Sequence, residues 1–322
     1  MFKNIFKNYK YLILSIIIFL IFFIIELPYV IKCPGKIIDV SDKIDSNIKI
    51  ETTGSINMAA VTELKTTIPT YLLAKIKKDW DITKLAENKI DNETLEEANY
   101  RNIMLLNEAN DIATIVAYRN AKKNLKINKI DFYVTYIDKK AKTNLKIKDK
   151  ILKIDNKKVN SLEEIKEIIN KYEVGETVKI KTTNGIKNAT IYEENNQKLI
   201  GIMITSDYTF KNPIKFKFNN QESGSSGGLM MTLTIYNYLT NDSLTNKRKI
   251  VGTGTIDING TVGKIDGVKY KLISAANYKA DIFLVPYDNY IEAINIKNKY
   301  NYDIKIYPVN TIEEAIEYLK KE

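Results

Sequence analysis

The sequence predicts an α+β chain in three parts. These are an N-terminal apolar helix of membrane-spanning length, a small β-rich domain in the middle, and a C-terminal α/β domain. Three observations carry that expectation. Tyr11 to Ile31 is apolar except for Ser15, Glu26 and Pro28. Between residues 125 and 205, apolar residues alternate with polar ones and hairpin signals recur. From 206 to 322, short apolar runs alternate with helical patterns.

Residues 1–10 carry Lys3, Lys7 and Lys10. The run Tyr11–Ile31 that follows is long enough to cross a hydrocarbon core at about 1.5 Å per residue. The basic flank then keeps residues 1–10 in the cytoplasm and exports the rest, giving a single-pass anchor in the cell membrane. A cleaved signal peptide is the competing reading, but no small-x-small cleavage site follows the run.

Residues 35–122 read as loose strands from Gly35 to about Ile50 and from Gly54 to Val61. Pro69 opens a helix with Tyr71, Leu72, Leu73 and Ile76 on its stripe. A longer helix starts after Asp91-Asn92 and ends near Ala121-Lys122. In the middle region Phe132-Tyr133-Val134-Thr135-Tyr136-Ile137 is a strand, and Leu145 to Val159 is a strand and a tight turn. Ser161 caps a helix to Asn170, with Glu164 at the capping-box position. Gly175 breaks the chain before Thr177–Lys181, and Asn184-Gly185 marks a hairpin.

Beyond residue 206, Lys215-Phe216-Lys217-Phe218 is a short strand, and the turn at 224–228 runs into a helix. Ile250–Ile256 is a strand leading to a hairpin at Asn259-Gly260. A helix from about Val268 to Tyr278 precedes the buried strand Ile282–Pro286. One more helix, a strand at Ile304–Tyr307 and a capped helix from Thr311 complete the chain.

The composition narrows the chemistry. The 322 residues contain no histidine, which removes Ser-His-Asp triads, Cys-His dyads and histidine zinc sites. A single cysteine, Cys33, excludes an intrachain disulfide and a cysteine-cluster metal site. No metal and no other cofactor is expected. The net charge of +10 comes from lysine spread along the chain, without a dense basic tract, so no nucleic-acid partner is expected. No GxxxxGK[ST] phosphate loop exists, since Gly263-Lys264 is followed by Ile265, so no nucleotide is expected either. A nucleophilic hydroxyl would need activation by lysine, a carboxylate or an amino terminus.

Gly224-Ser225-Ser226-Gly227-Gly228 is a small-residue turn leading into Leu229, Leu233 and Tyr236 at i, i+4 and i+7. It sets a serine beside helix-start N–H groups that lack intrahelical partners, an arrangement that suits negative charge. The bland alternative is a surface loop with a serine N-cap. Val268, Lys271, Leu272 and Ala275 share one helix face, which puts Lys271 within an apolar stripe while Lys269 points elsewhere. Most such lysines snorkel, but a buried one loses its proton more readily and becomes a base near neutral pH.

Two resemblances follow. The run Leu145-Lys146-x-x-Asp149-x-Ile151-x-x-Ile154-Asp155-Asn156-x-x-Val159, with its helix, resembles the PDZ domains attached to bacterial envelope proteases, with Lys148 where a glycine is usual. That resemblance implies peptide addition to a sheet edge, expected around Phe132, Tyr133, Val134 and Thr135. Gly224–Gly228 resembles the Gly-Pro-Ser-Ala-Gly signature of Lon-type serine peptidases. Val251-Gly252-Thr253-Gly254-Thr255 is similar to their Met-Thr-Gly-Glu strand. Gly260 to Leu272 is similar to their Gly-x-Val-x-Pro-Ile-Gly-Gly-x-Lys-x-Lys-Leu segment.

By this resemblance the nucleophile is Ser226 and the base Lys271, with Thr253 orienting the amine and Gly224 and Ser225 supporting the turn. Ser225 for proline, Gly227 for alanine, Asp266 for glycine and Thr255 for glutamate are the departures, and Ser223 and Ser225 remain neighbouring serines. The chain as a whole resembles membrane-anchored, PDZ-containing Lon-like peptidases of the envelope. The expected domains are 1–10, the anchor 11–31, 35–122 as part of the peptidase fold, a possibly inserted PDZ domain 125–205, and the peptidase domain 206–322. The implied activity is ATP-independent cleavage of extracytoplasmic peptides or unfolded segments, by a hexameric ring or an anchored monomer. The alternative is a catalytically silent PDZ scaffold that binds envelope-protein tails. A penicillin-binding type is disfavoured, because Ser46-Asn47-Ile48-Lys49 has no companion Ser-Asp-Asn or Lys-Thr-Gly element.

Overall fold

Helix α1 (Phe2–Ile24) ends before the apolar run does. Its last bond runs from the Ile25 N–H to the Ile21 carbonyl, and Glu26 opens strand β1 (Glu26–Asp39). Pro28 has no N–H to give a helix, and the β-branched Val30 and Ile31 suit a sheet, where both are buried. The apolar helical part, Tyr11 to Ile24, is only about 21 Å long, against about 30 Å for a hydrocarbon core. Among the described residues no helix is long and apolar enough to cross a membrane. The expected transmembrane anchor over 11–31 is thus corrected. The cell-membrane location, with a cytoplasmic N-terminus and exported domains, loses the feature it rested on.

The computed structural model describes residues 2–44, 53–85, 90, 93–214, 216–219, 222–240 and 244–321, with side chains from residue 9. Ile48, Ile50, the Ser46–Lys49 element, the Asp91-Asn92 start signal and Lys215 lie outside these residues.

After β1 come β2 (Ser55–Thr67), α2 (Ile68–Ile76), β3 (Asp81–Lys84) and α3 (Leu95–Asn120). A β-rich segment follows, with β4 (Ile127–Ile137), β5 (Lys150–Ile154), β6 (Lys157–Lys158) and α4 (Leu162–Asn170). It continues through β7 (Thr177–Thr182), β8 (Gly185–Thr190), β9 (Tyr192–Glu194), β10 (Gln197–Leu199) and β11 (Ile202–Phe210). The last third contains α5 (Gly228–Thr240), β12 (Lys249–Gly252), β13 (Thr255–Ile256), β14 (Val262–Gly263) and α6 (Val268–Asn277). It closes with β15 (Ile282–Pro286), α7 (Tyr290–Tyr300), β16 (Lys305–Val309) and α8 (Ile312–Lys321).

One six-stranded sheet has the order β16-β15-β12-β2-β1-β3 and joins the two ends of the chain. β12 runs parallel to both β15 and β2, with Val251 opposite Phe283 on one side and Asn57 on the other. Alternation sorts its side chains onto two faces. Ile250, Leu284 and Met58 pack with α3, α5 and α8, while Val251, Phe283 and Val285 pack with α6 and α7. Strands buried on both faces explain the unbroken apolar run Ile282–Pro286. A second sheet, ordered β11-β4-β5-β7-β8, closes its own core around Phe132, Val134, Ile154 and Ile180, with Ile165 and Ile169 of α4.

α3 touches both sheets' surroundings. Thr94 caps it through Glu97, a reciprocal capping box, and its apolar residues pack on α5. On its other flank the Glu108 carboxylate accepts the Ser206 N–H at 2.7 Å, and Asp111 accepts the Tyr208 N–H at 2.9 Å. Those two carboxylates satisfy the outer edge of β11, which would otherwise offer a strand to other chains.

Candidate active site

The turn before α5 is held from three sides. The Gly224 N–H donates to the Asn102 carbonyl of α3 at 3.0 Å, and the Gly228 N–H donates to the Ser225 carbonyl at 3.1 Å. The Gly254 N–H donates to the Ser226 carbonyl at 2.8 Å, and the Leu229 N–H to the Gly254 carbonyl at 3.0 Å. Gly224 has φ +89°, a left-handed conformation that glycine adopts without steric cost. Ser226 is half-buried, Ser225 is half-buried, and Ser223 is exposed.

Thr253 leaves the end of β12, 1% exposed, with its N–H on the Leu284 carbonyl. Its hydroxyl donates to the Ser226 carbonyl at 3.1 Å and accepts from Lys271 Nζ at 3.1 Å. Lys271 rises from α6 and is 3% exposed. Burial takes its amine from 10.5 down to about 8, against the Asp266 carboxylate, which raises it. The structure therefore gathers Gly224, Ser225, Ser226, Thr253 and Lys271 at one place, with Thr253 between the serine and the lysine. No hydrogen bond joins Lys271 Nζ to the Ser226 hydroxyl here.

Lys269 stands apart on the neighbouring face. It donates to Asp81 Oδ2 of β3, which also accepts the Tyr270 hydroxyl at 2.7 Å. Burial pushes the Asp81 carboxyl up, but these hydrogen bonds outweigh it and hold the group below the usual carboxylate range. Asp81 and the Asn102 carbonyl are partners that the sequence does not announce. Neither carries a local sequence signal, because each meets its partner only through tertiary packing.

Phe132, Tyr133, Val134 and Thr135 do not form an open peptide edge, which corrects the expected groove. β11 pairs with them on one side, and β5 pairs Phe132 with Ile151 and Tyr133 with Lys150 on the other. The Val134 N–H donates to the Asp149 carbonyl and its carbonyl accepts the Lys148 N–H, both at 2.9 Å. Phe132, Val134 and Thr135 are buried. A strand satisfied on both sides has nothing to offer an added one. Among the described residues, no cluster of three His, Cys, Asp or Glu side chains is placed to hold a metal.

Residues 219–321 match the family model described as the Lon protease (S16) C-terminal proteolytic domain. A PDZ domain is matched at residues 116–192. The Lon protease of Buchnera aphidicola subsp. Schizaphis graminum is 34% identical over 95 residues, covering 30% of this chain and 12% of the relative. That of Metamycoplasma arthritidis is 30% identical over 99 residues, 31% of this chain and 12% of the relative. That of Campylobacter concisus is 33% identical over 96 residues, 30% of this chain and 12% of the relative. The chain thus spans about 12% of the length of these curated relatives. The matched Lon-type region contains the turn, Thr253 and Lys271.

Proposed function

We propose that this chain is a serine endopeptidase in which Ser226 is the nucleophile and Lys271 its general base, acting without ATP on peptides or unfolded protein segments. The observation that carries the reading is the buried Lys271 amine, brought down to about 8 and bonded to a threonine that is itself bonded to Ser226. A lysine that gives up its proton at about pH 8 can take a hydroxyl proton there, which an ordinary surface lysine, protonated up to about pH 10, cannot.

In this scheme Ser226 Oγ attacks the scissile carbonyl while its proton passes to Lys271 Nζ. The same proton then goes to the leaving amine, and an acyl-enzyme remains. Water repeats the steps to release the second product, with Lys271 again as base. By accepting an N–H from Nζ, Thr253 holds the amine so that its lone pair can point towards the serine. Among the described residues the Ser226 and Gly227 N–H groups have no acceptor, and they are the candidate oxyanion donors. Such donors are worth about 3–4 kcal/mol each in measured cases. The PDZ domain selects or presents the substrate.

The test uses the full chain and a panel of unstructured peptides without ATP, with cleavage followed by mass spectrometry. Cleavage lost in Ser226→Ala and Lys271→Gln but kept in Lys269→Gln is the expected pattern. Cleavage surviving both of the first two changes would place the site elsewhere. An intact panel after long incubation, together with peptide binding untouched by Ser226→Ala, would favour a silent PDZ scaffold instead.

A further inference from the structure

Strand β4 is paired along its whole length on one side and over only part of it on the other. β11 takes it from Ile127 to Ile137, whereas β5 reaches only Phe132 and Tyr133. The stretch Ile127–Asp131 therefore leaves one side open, onto a cleft of about 360 Å3 whose far wall includes Lys158. Opposed residues of an antiparallel ladder alternate between bonded and non-bonded pairs. Tyr208 turns its N–H away from β4, to Asp111, so its partner Ile130 turns its own main-chain groups away from β11, into the cleft.

The cleft is charged as well as open. Lys129 and Lys150 converge on Asp131 at 2.8 and 2.7 Å. The lining residues, with Lys158, carry three ammonium groups and one carboxylate, a net charge of +2, and Asp207, opposite Asp131 in the ladder, also acts on Lys150 from the same face. Lys129 and Asp131 are two apart on a strand and so share a face, and Lys150 joins them there. Alternate side chains of a strand laid beside Ile130 point to that face.

We propose that this cleft takes an extended acidic peptide, its main chain paired with Ile130 and an acidic side chain held by Lys129 and Lys150. The inference rests on the reading of residues 116–192 as a peptide-binding module and names the chemistry of what it selects. The incoming carboxylate shares or displaces the one of Asp131. Lysines on a side-chain face favour an acidic side chain over a chain terminus, since a terminal carboxylate would sit at the end of the added strand.

The test uses the full chain carrying Ser226→Ala and short fluorescein-labelled peptides of alternating threonine and one other residue. That residue is glutamate, glutamine or lysine, and each C-terminus is free or amidated. Fluorescence anisotropy is expected to show the glutamate peptide binding about tenfold tighter than the glutamine one, about 1.4 kcal/mol, with amidation of little effect. Changing Lys129→Gln and Lys150→Gln together should shrink that ratio to within about twofold, and the Ile130 amide should gain hydrogen-exchange protection in the complex. Equal binding of glutamate and glutamine peptides would overturn the acidic preference and leave the peptide-binding reading standing. Loss of binding on amidation would overturn the side-chain assignment in favour of a terminal carboxylate. No binding by any peptide, with Ile130 unprotected, would overturn both.

Discussion

Thr253 Oγ1 lies 3.1 Å from Lys271 Nζ while giving its own proton to the Ser226 carbonyl. One hydroxyl thus fixes a backbone and an amine together. Thr253→Val keeps the shape but leaves the amine without that anchor. Under the proposed mechanism kcat should fall about 10–100-fold with KM little changed, because misplacement by about 1 Å costs rates of that order. Thr253→Ser should recover most of the loss. Steady-state kinetics on a cleaved peptide separate the two constants, and a Val variant with wild-type kcat would remove Thr253 from the mechanism.

The pH profile should report the lysine. With the Lys271 amine at about 8, kcat/KM should climb close to tenfold per unit below that pH and level off above it. Asp266 raises the amine, so Asp266→Asn should move the midpoint downwards. A profile flat from pH 6 to 10 would rule Lys271 out as the base.

Stability should carry the same signature with its own sign. A lysine whose folded pKa is depressed contributes stability that is present above the unfolded value of 10.5 and is lost as pH falls through about 8. Near pH 7 the buried ammonium therefore weighs against folding. Lys271→Met, of similar length and without charge, should be more stable than the parent there by roughly 1–3 kcal/mol. The difference should shrink towards pH 10.5. Urea melts at the two pH values measure it, and a pH-independent difference would contradict the burial argument.

Two adjacent glycines should respond differently to a methyl group. At Gly227 an added Cβ meets only the flexible Met58 Sδ at 2.9 Å, with Met231 Cε at 3.9 Å. At Gly228 it meets Ile256 Cγ2 at 2.9 Å and the Ile256 backbone nitrogen at 3.0 Å. Gly227→Ala should fold with a loss under about 1 kcal/mol, and Gly228→Ala should lose about 1–3 kcal/mol. Thermal melts of the two variants compare them directly.

Periodicity made several elements legible in advance. The stripe Val268, Lys271, Leu272 and Ala275 marks one face of α6, and Lys271 is indeed buried there. The run Ile282–Pro286 is a fully buried strand. Ser161 caps α4 as its sequence suggests. What was not legible depends on neighbours. The apolar residues from Ile25 to Ile31 suit a membrane helix or a sheet equally by hydropathy, and only pairing with β2 and β3 decides for the sheet. The alternation at Phe132–Thr135 identifies a strand but not how many strands flank it, so it does not separate a central strand from an edge. Thr94 and Glu97 spell a capping box that the Asp91-Asn92 signal obscured.

The order in which the polypeptide is made gains meaning from its pairing. Asn57 bonds the Ile250 carbonyl across 193 residues, so β2 waits for a partner synthesised much later. Between them, Ile127 faces Phe210 in register, and the Lys211 N–H closes on the Lys126 carbonyl at 3.0 Å. As soon as residue 211 leaves the ribosome, the middle sheet can fold and bring its two ends within a strand spacing, about 5 Å. The remaining search for β12 is then over a much shorter effective loop. Ser226 is translated before Thr253 and Lys271, so under the proposed mechanism a nascent chain would hold the serine without its base. Under that mechanism hydrolytic competence would come only when the final third has docked, after the middle sheet is already closed.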